Sequence, residues 1–367
     1  MDACLRSLLA CPACGGTLDA RWRCGNCGAQ YDASSGVPAL RLPGDERTDR
    51  VRAFYTEAPF PGYPPRASLT WLRARAERSR FARLLDRAIP GDARIVEVGC
   101  GTGQMSLYLA RADRVVIGAD LTRASLLLGA TAARHFGIDR ALFVETDLAR
   151  PGLRSGAFDV VYCSGVLHHT PDPRASFRRI AALARPGGMI IIGLYNSIAR
   201  LPLRLRRAAF RLTGARHVWG DPVLADREAE PARREAWIRD QYRHPEEHRH
   251  TLAEVRRWFA ENDIDYVRAF PSALLAEDED AELFAPEGDD WWLEDWLAQL
   301  GWIRSLAAEG GLFVAIGRRA APAATSSHRR APACDTLGIP HQFGALDLQV
   351  SRAGAEPQSD ACNGPTP

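Results

Sequence analysis

Apolar residues between Arg94 and Leu194 fall into five short runs, separated by turns and by stretches with helical spacing. Each run is rich in Val, Ile, Leu or Phe, as in strands buried on both faces of a parallel sheet. The five predicted strands are 95–98, 115–119, 141–144, 158–163 and 189–194. Two later runs, 264–270 and 311–317, predict strands six and seven. The expected fold class is α/β, with a doubly wound, mostly parallel seven-stranded sheet.

A glycine-rich turn follows the first predicted strand, in the stretch RIVEVGCGTGQMS. Gly99, Gly101 and Gly103 stand at alternate positions, where glycine permits a sharp turn and exposes bare backbone to a ligand. Residues 104–111 then predict a helix. Strand, glycine turn and helix together form the phosphate or nucleoside cradle of doubly wound folds.

The spacing of the glycines excludes two common cradles. A dinucleotide fingerprint would require a third glycine where Gln104 stands, and a P-loop requires a lysine, which the sequence lacks. The pattern E-x-G-x-G-x-G, which begins at Glu97, resembles motif I of the class I S-adenosylmethionine (SAM) dependent methyltransferases. FDVV, VLHHTPDP and RPGG follow in the order and spacing of the later motifs, so residues 94–194 resemble the type 11-like members of that superfamily.

The resemblance implies a Rossmann-like fold that binds SAM as its cofactor. The glycine backbone would face the methionine end, and Glu97 its amino group. Asp120 would bind the ribose, as its position about twenty residues past the turn also indicates. Asp147 would bind adenine, and the methyl group would emerge near Ser164. The cofactor-binding residues implied are Glu97, Gly99, Gly101, Gly103, Asp120, Leu121, Asp147, Leu148 and Ser164.

Two histidines, His168 and His169, follow the fourth predicted strand at the rim beside the methyl group. A neutral imidazole there would act as a base and take a proton from a hydroxyl or an amine. Under the structural alternative, one histidine shapes the loop and the other faces solvent. The predicted function is methyl transfer to oxygen, carbon or nitrogen of a small or carrier-borne organic acceptor.

Four of the nine cysteines form two C-x-x-C pairs, at Cys11 and Cys14 and at Cys24 and Cys27. Four thiolates at this spacing suit a tetrahedral structural zinc ion, whereas disulfides are disfavoured in a reducing compartment. The segment resembles a zinc ribbon, including its tail YDASSGVPAL. A comparable ribbon precedes the catalytic domain of some bacterial ribosomal-RNA guanine methyltransferases. An RNA methyltransferase is therefore an alternative function, and a non-catalytic SAM-binding scaffold is another.

The remaining segments complete the domain organisation. Residues 53–65, AFYTEAPFPGYPP, predict an irregular segment that is either a lid, with Tyr55, Phe60 or Tyr63 against the cofactor or substrate, or a wrapping linker. Residues 68–89 predict one amphipathic helix. The predicted divisions are a zinc ribbon (1–42), a linker or lid with its helix (43–90), a methyltransferase domain (91–319) with insertions at 195–250 and 271–310, and a disordered tail (320–367).

Composition limits the partners. The 47 basic residues, all arginine, nearly balance 45 acidic ones for a formal charge of +2, so no global field attracts nucleic acid or membrane. Arginines interleave with apolar residues over 200–211, which fits a basic amphipathic helix for RNA, a membrane surface or an acidic substrate, or a solvated surface helix. We find no signal-peptide pattern and no apolar run of transmembrane length, and expect a cytoplasmic protein.

Overall fold

The protein is built around one seven-stranded sheet. The computed structural model describes residues 3–57, 59, 62–212, 220–221, 224, 231–244, 246–273, 282–288, 292–307 and 310–321. The strands are β1 (Arg94–Val98), β2 (Val115–Asp120), β3 (Ala141–Glu145), β4 (Phe158–Ser164), β5 (Ala184–Tyr195), β6 (Ile264–Phe270) and β7 (Leu312–Arg319). Their order across the sheet is β3-β2-β1-β4-β5-β7-β6.

The direction of the strands confirms the predicted fold class. Strands β1 to β5 pair in parallel, whereas β7 runs antiparallel between β5 and β6. The chain winds outward from β1 to β3 and then returns to place β4 on the other side of β1. Ligands of doubly wound folds bind at such a switch point, outside the carboxyl ends of the strands. The crevice between β1 and β4 is therefore the expected ligand site.

Helices cover the sheet and occupy the insertions. The helices before β4 are α1 (Ala3–Ser7), α2 (Glu46–Glu57), α3 (Leu69–Ala76), α4 (Arg80–Ala88), α5 (Gln104–Leu109) and α6 (Arg123–Phe136). The helices after β4 are α7 (Pro173–Ala181), α8 (Leu201–Leu212), α9 (Pro231–Arg243), α10 (Leu252–Ala260) and α11 (Trp292–Ser305). Helix α8 and helix α9 belong to the first insertion and α11 to the second. No helix in the described ranges has both the length and the apolar character needed to cross a bilayer.

The central strands are buried on both faces, as their continuous apolar runs predict. In β1, the fully buried Val96 packs in a cluster that includes Phe177 of α7 and Phe259 of α10. Its neighbour Ile95 points the other way, into a cluster with Phe81 of α4. Alternate side chains of a strand point to opposite faces, so each face needs its own apolar layer.

The structure corrects two predictions for the segment before β1. The prediction of an irregular segment over 53–65 is wrong for its first residues, because α2 continues to Glu57. Asp45 accepts hydrogen bonds from the N–H groups of Arg47 and Thr48 and so starts this helix. The single helix predicted over 68–89 is two helices, since Ser79 accepts a hydrogen bond from Ala82 N–H and caps α4.

The N-terminal segment packs against the loop that follows β3. Pro38 O accepts a hydrogen bond from Glu145 N–H at 3.0 Å, and Ala10 N–H donates to Gly152 O at 3.1 Å. The side chain of Leu40 is fully buried against Gly152, where a Cβ would lie 2.6 Å from the Cβ of Leu40. The loop between β3 and β4 is thus held from outside by the cysteine-containing segment. The predicted domain boundary at residue 42 stays a prediction, and residues 322–367 of the predicted tail lie outside the described residues.

Gly118→Ala should destabilise the fold by about 1–3 kcal/mol through overpacking. A Cβ at Gly118 in β2 would lie 2.6 Å from Cδ1 of the buried Phe143. Urea denaturation measures the loss. The control is Gly301→Ala in α11, where a Cβ meets nothing within 4 Å and helix propensity favours alanine. Equal stability of the two variants would contradict the packing at Gly118.

Candidate cofactor and acceptor site

The glycine turn after β1 adopts a backbone that suits glycine. Gly99, Gly101 and Gly103 have φ values of 75°, 53° and 77°, in the left-handed region. A Cβ at Gly99 would lie 2.0 Å from Cγ2 of Val166, and one at Gly103 would lie 2.2 Å from Cε1 of Phe143. The predicted turn is therefore present, and at two of its three glycines neighbouring side chains leave no room for a Cβ.

The two predicted acidic residues lie at one edge of the sheet. Asp120 ends β2, and Asp147 follows β3, which pairs with β2 so that Asp120 stands opposite Glu145. Asp120 accepts hydrogen bonds from the N–H groups of Gly101 (2.9 Å) and Thr122 (2.7 Å). Burial raises the pKa of Asp120, and these N–H groups oppose that rise. The carboxylate thereby ties the glycine turn to the end of β2.

Asp147 and the two predicted leucines surround this edge. Asp147 Oδ1 accepts a hydrogen bond from Ala149 N–H at 2.7 Å and so shapes its own loop. Leu121 and Leu148, each the residue after one of the acids, are half-buried. Two carboxylates and two apolar side chains beside bare backbone suit a nucleoside. Its sugar carries polar hydroxyls, and its base has an apolar ring face.

Glu97 carries a buried carboxyl group in β1. The hydroxyl of Ser106 in α5 donates a hydrogen bond to it. Burial raises the pKa of Glu97 to about 7, and the nearby charge of Asp120 contributes to the rise. A cation placed beside this group would favour its ionised form. The site therefore suits the amino group of a ligand.

The loop after β4 joins the glycine turn to the histidines. Ser164 ends β4 next to Gly193 of β5, where a Cβ would lie 2.1 Å from the Ser164 hydroxyl oxygen. At Gly165, with φ 77°, a Cβ would meet nothing within 4 Å, so the backbone faces open space. Val166 then packs on Gly99, and residues 167–169 form a 3₁₀ turn. The histidine turn and the glycine turn are in direct contact.

Both predicted histidines are buried. His169 Nδ1 lies 2.7 Å from Glu246 O and donates a hydrogen bond to it. Neither ring nitrogen of His168 has a hydrogen-bond partner among the described residues. Its ring lies over that of Tyr195, with centroids 3.8 Å apart. Burial lowers the pKa of His168 well below its ordinary value, so the imidazole is neutral.

The interpretation that one histidine of the pair faces solvent is therefore wrong.

Sequence analysis missed the groups that surround His168 and His169. His244 stacks on His169 with ring centroids 3.6 Å apart, and Tyr195 ends β5 beside His168. The signal available for Tyr195 was its position at the end of a strand. His244 and Glu246 lie far along the chain in the first insertion, and no local pattern marks them.

The predicted lid meets the site at Tyr63. Its hydroxyl donates to Thr102 O at 2.9 Å, and Gln104 Nε2 donates to Gly62 O at 2.9 Å. The ring of Tyr55 lies instead near His244, with centroids 5.7 Å apart. Phe60 lies outside the described residues. The segment thus borders the glycine turn at one point and the histidines at another.

The four predicted metal ligands come together. The Sγ atoms of Cys11, Cys14, Cys24 and Cys27 all lie within 4.8 Å of one another. Cys11 and Cys27 are 3.7 Å apart and Cys14 and Cys24 are 3.5 Å apart, close to the ~3.8 Å expected for a tetrahedral Zn²⁺ with ~2.3 Å bonds. The hydroxyl of Tyr31 lies 2.9 Å from Cys11 Sγ. The donor set and its size fit a structural zinc ion.

Comparison with known proteins agrees with this site. Residues 96–192 match the profile of the family described as a methyltransferase domain. A ubiquinone biosynthesis O-methyltransferase of Bordetella avium is 34% identical over 131 residues, which cover 34% of this chain and 49% of the relative. An uncharacterized protein of Synechococcus is 28% identical over 254 residues, covering 61% of this chain and 60% of that protein. Residues 96–192 are thus a methyltransferase domain.

The matches differ in how much of each relative they cover. The chain spans about half the length of the ubiquinone methyltransferases that it matches. In the Bordetella avium protein, the covered share is 49%. The solved magnesium protoporphyrin IX methyltransferase of Synechocystis with bound SAM is 15% identical with a TM-score of 0.42, covering 76% of this chain and all of that one. A similarity of this size supports no argument about function.

The affinity for SAM should increase as the pH rises from about pH 6 to about pH 8. The pKa of Glu97 is raised to about 7, so below that pH a proton must leave before the carboxylate can pair with the SAM ammonium. Isothermal titration at several pH values measures the effect. Glu97→Gln should weaken binding roughly tenfold at the higher pH and remove this pH dependence. An unchanged pH profile in Glu97→Gln would exclude this role.

If the four cysteines hold a zinc ion, as we predict, removing that ion should weaken SAM binding roughly five- to thirtyfold, equivalent to about 1–2 kcal/mol for ordering one backbone residue. The cysteine-containing segment supports the loop that carries Asp147 through hydrogen bonds at Ala10 and Pro38. Titration with SAM before chelation, after chelation and after return of Zn²⁺ provides the test, with circular dichroism to confirm that the sheet remains. Cys14→Ser should reproduce the chelated state. Equal affinity in all three states would show that the cysteine site does not affect SAM binding.

Proposed function

We propose that the chain is a SAM-dependent methyltransferase that methylates a hydroxyl oxygen of a small or carrier-borne organic acceptor. The methyltransferase domain over 96–192 supports methyl transfer. The choice of oxygen draws support from the relatives named as O-methyltransferases and from the neutral, buried imidazole of His168. The acceptor would lie beside the open backbone of Gly165.

The chain's own residues would hold and orient the cofactor. Backbone at the glycine turn would face its methionine end, with Glu97 near the amino group. Asp120 would accept hydrogen bonds from the ribose, and Asp147 with Leu148 would hold the adenine. Bound SAM supplies a methyl group on a positive sulfonium, which is a good leaving group. The protein's main task is then to align the acceptor oxygen with that carbon.

His168 is the residue on which the proposed reaction depends. A buried imidazole with no partner at either nitrogen is costly, and a bound hydroxyl group would provide the missing hydrogen bond. One ring nitrogen of His168 would take up the proton of the acceptor hydroxyl, while bound SAM would supply the methyl group to the oxygen and leave as a neutral thioether. The close ring of Tyr195 would fix the plane of the imidazole. Glu246 O would orient the neighbouring ring of His169.

Three of the five arginines over 200–211 give the RNA alternative no support. Arg200 is buried and pairs with Glu247 at 2.8 Å, and Arg207 pairs with the same carboxylate. Arg206 lies 3.8 Å from Asp221. These three arginines are held by internal acids, so they are not available for phosphates. We therefore propose a small or carrier-borne organic acceptor and not RNA.

His168→Gln should lower kcat by roughly 10²- to 10⁴-fold while the affinity for SAM stays unchanged. Glutamine keeps a polar side chain of similar size but cannot take up the proton. Metabolite profiling of cells that lack the gene identifies the acceptor through the loss of one methyl increment. Turnover of the purified protein is then measured with that acceptor.

Two outcomes separate the parts of this proposal. Full turnover by His168→Gln would remove the base while leaving methyl transfer in place. Failure of the unmodified protein to bind SAM in a titration would overturn the function itself, whereas SAM binding without turnover would favour a SAM-binding scaffold. His169→Gln is the matched comparison, because it alters the adjacent buried ring.

A further inference from the structure

Exposed apolar side chains concentrate on two helices of the insertions. Among the described residues, eight large apolar side chains are exposed, and seven of them lie on α8 and α11. The seven are Leu201, Leu205, Leu212, Leu293, Trp296, Leu297 and Leu300. Single exposed leucines are ordinary, but a grouping of this kind marks an interaction surface.

Helix α8 is apolar on both sides. Its inner side buries Leu203 and Phe210 in a small cluster with Tyr242 of α9. Its outer side presents Leu205, which is 67% exposed, and Leu212, which is 89% exposed. The spacing of 201, 205 and 212 puts these leucines in one outer stripe. A surface helix of a globular protein ordinarily has one apolar stripe, so the outer one needs another explanation.

The charges on the outer side of α8 are positive. The helix contains no acidic residue. Arg206 and Arg207 turn toward the internal acids Asp221 and Glu247. Arg204 and Arg211 are exposed, and the helical spacing places them along one flank of the leucine stripe. The outer face of α8 is therefore a leucine stripe edged by arginine.

Helix α11 carries a matching stripe. Leu293, Trp296, Leu297 and Leu300 follow the i, i+3, i+4, i+7 spacing of one helix face, and Trp296 is 51% exposed. The opposite face buries Trp302 in the core. Pro202 and Leu203 of α8 and Ile303 of α11 line one small cavity, so the two helices are neighbours.

We propose that the outer faces of α8 and α11 dock on an anionic phospholipid surface. Leucine and tryptophan side chains of interfacial helices enter the boundary between headgroups and acyl chains, and arginines remain at the phosphates. Anionic headgroups attract each added arginine near the surface. A second copy of the chain fits less well, because a symmetric contact through α8 would bring like charges together with no acid on that helix.

The residue before the start of α8 contacts the candidate acceptor site. The guanidinium of Arg200, just before α8, lies 3.5 Å from the ring centroid of Tyr195. Tyr195 in turn contacts His168. Docking through α8 would therefore bring the histidines near the lipid surface. The docking itself does not depend on the proposed chemistry and is tested without it.

Sedimentation of the full chain with vesicles tests the proposal. We expect binding to vesicles of phosphatidylcholine with phosphatidylglycerol, weaker binding at high salt, and little binding to phosphatidylcholine alone. Leu205→Asp with Leu212→Asp should reduce binding about tenfold or more. Arg204→Glu and Arg211→Glu should each reduce it roughly fivefold or more. All four positions are exposed, so circular dichroism and the thermal midpoint should stay unchanged.

The matched control is Leu128→Asp on α6, because Leu128 is 41% exposed and lies outside both insertions. This variant should bind vesicles like the unmodified chain. Equal loss in the control, or no sedimentation of the unmodified chain with anionic vesicles, overturns the proposal. A dimer in light scattering that Leu205→Asp dissociates, without vesicle binding, would assign the face to a second copy instead.

Discussion

The carboxylate of Asp120 connects the two parts of the sheet edge on which the site depends. It accepts hydrogen bonds from the N–H groups of Gly101 in the glycine turn and of Thr122 after β2. A buried carboxylate is costly to desolvate, and these two donors offset that cost. The turn is fixed from the other side by Val166, which occupies the space that a side chain at Gly99 would need. The glycine turn and the loop after β4 are thereby held by one local arrangement.

The N-terminal segment extends this arrangement to the loop that carries Asp147. It contributes backbone hydrogen bonds at Pro38 and Ala10, and Leu40 fills the space above Gly152. The segment carries four clustered cysteines, and a structural metal commonly stabilises segments of this size. Its apolar residues Trp22 and Tyr31 join the core cluster of the sheet. The proposed zinc site and the proposed cofactor site are therefore parts of one packed structure.

The insertions distinguish this chain from the minimal sheet. The first insertion supplies Glu246 and His244 to the histidine turn and Glu247 to Arg200. The same insertion presents the leucine stripe of α8 on its outer side. Substrate choice in this protein would then reside in segments outside the methyltransferase domain match.

Local pattern alone determined the strands, the glycine turn, the acids at strand ends and the paired cysteines. These features depend on residues close in sequence, where alternation, glycine and C-x-x-C spacing restrict the backbone directly. Only the tertiary structure decided that the ring nitrogens of His168 have no hydrogen-bond partner among the described residues, that Arg200 pairs with Glu247 and that Leu205 faces outward. Such outcomes depend on which distant segments meet, and helical periodicity in α8 is compatible with either face being buried. Residues 94–194 were therefore predictable, whereas the acceptor side was set by packing between the insertions and the sheet edge.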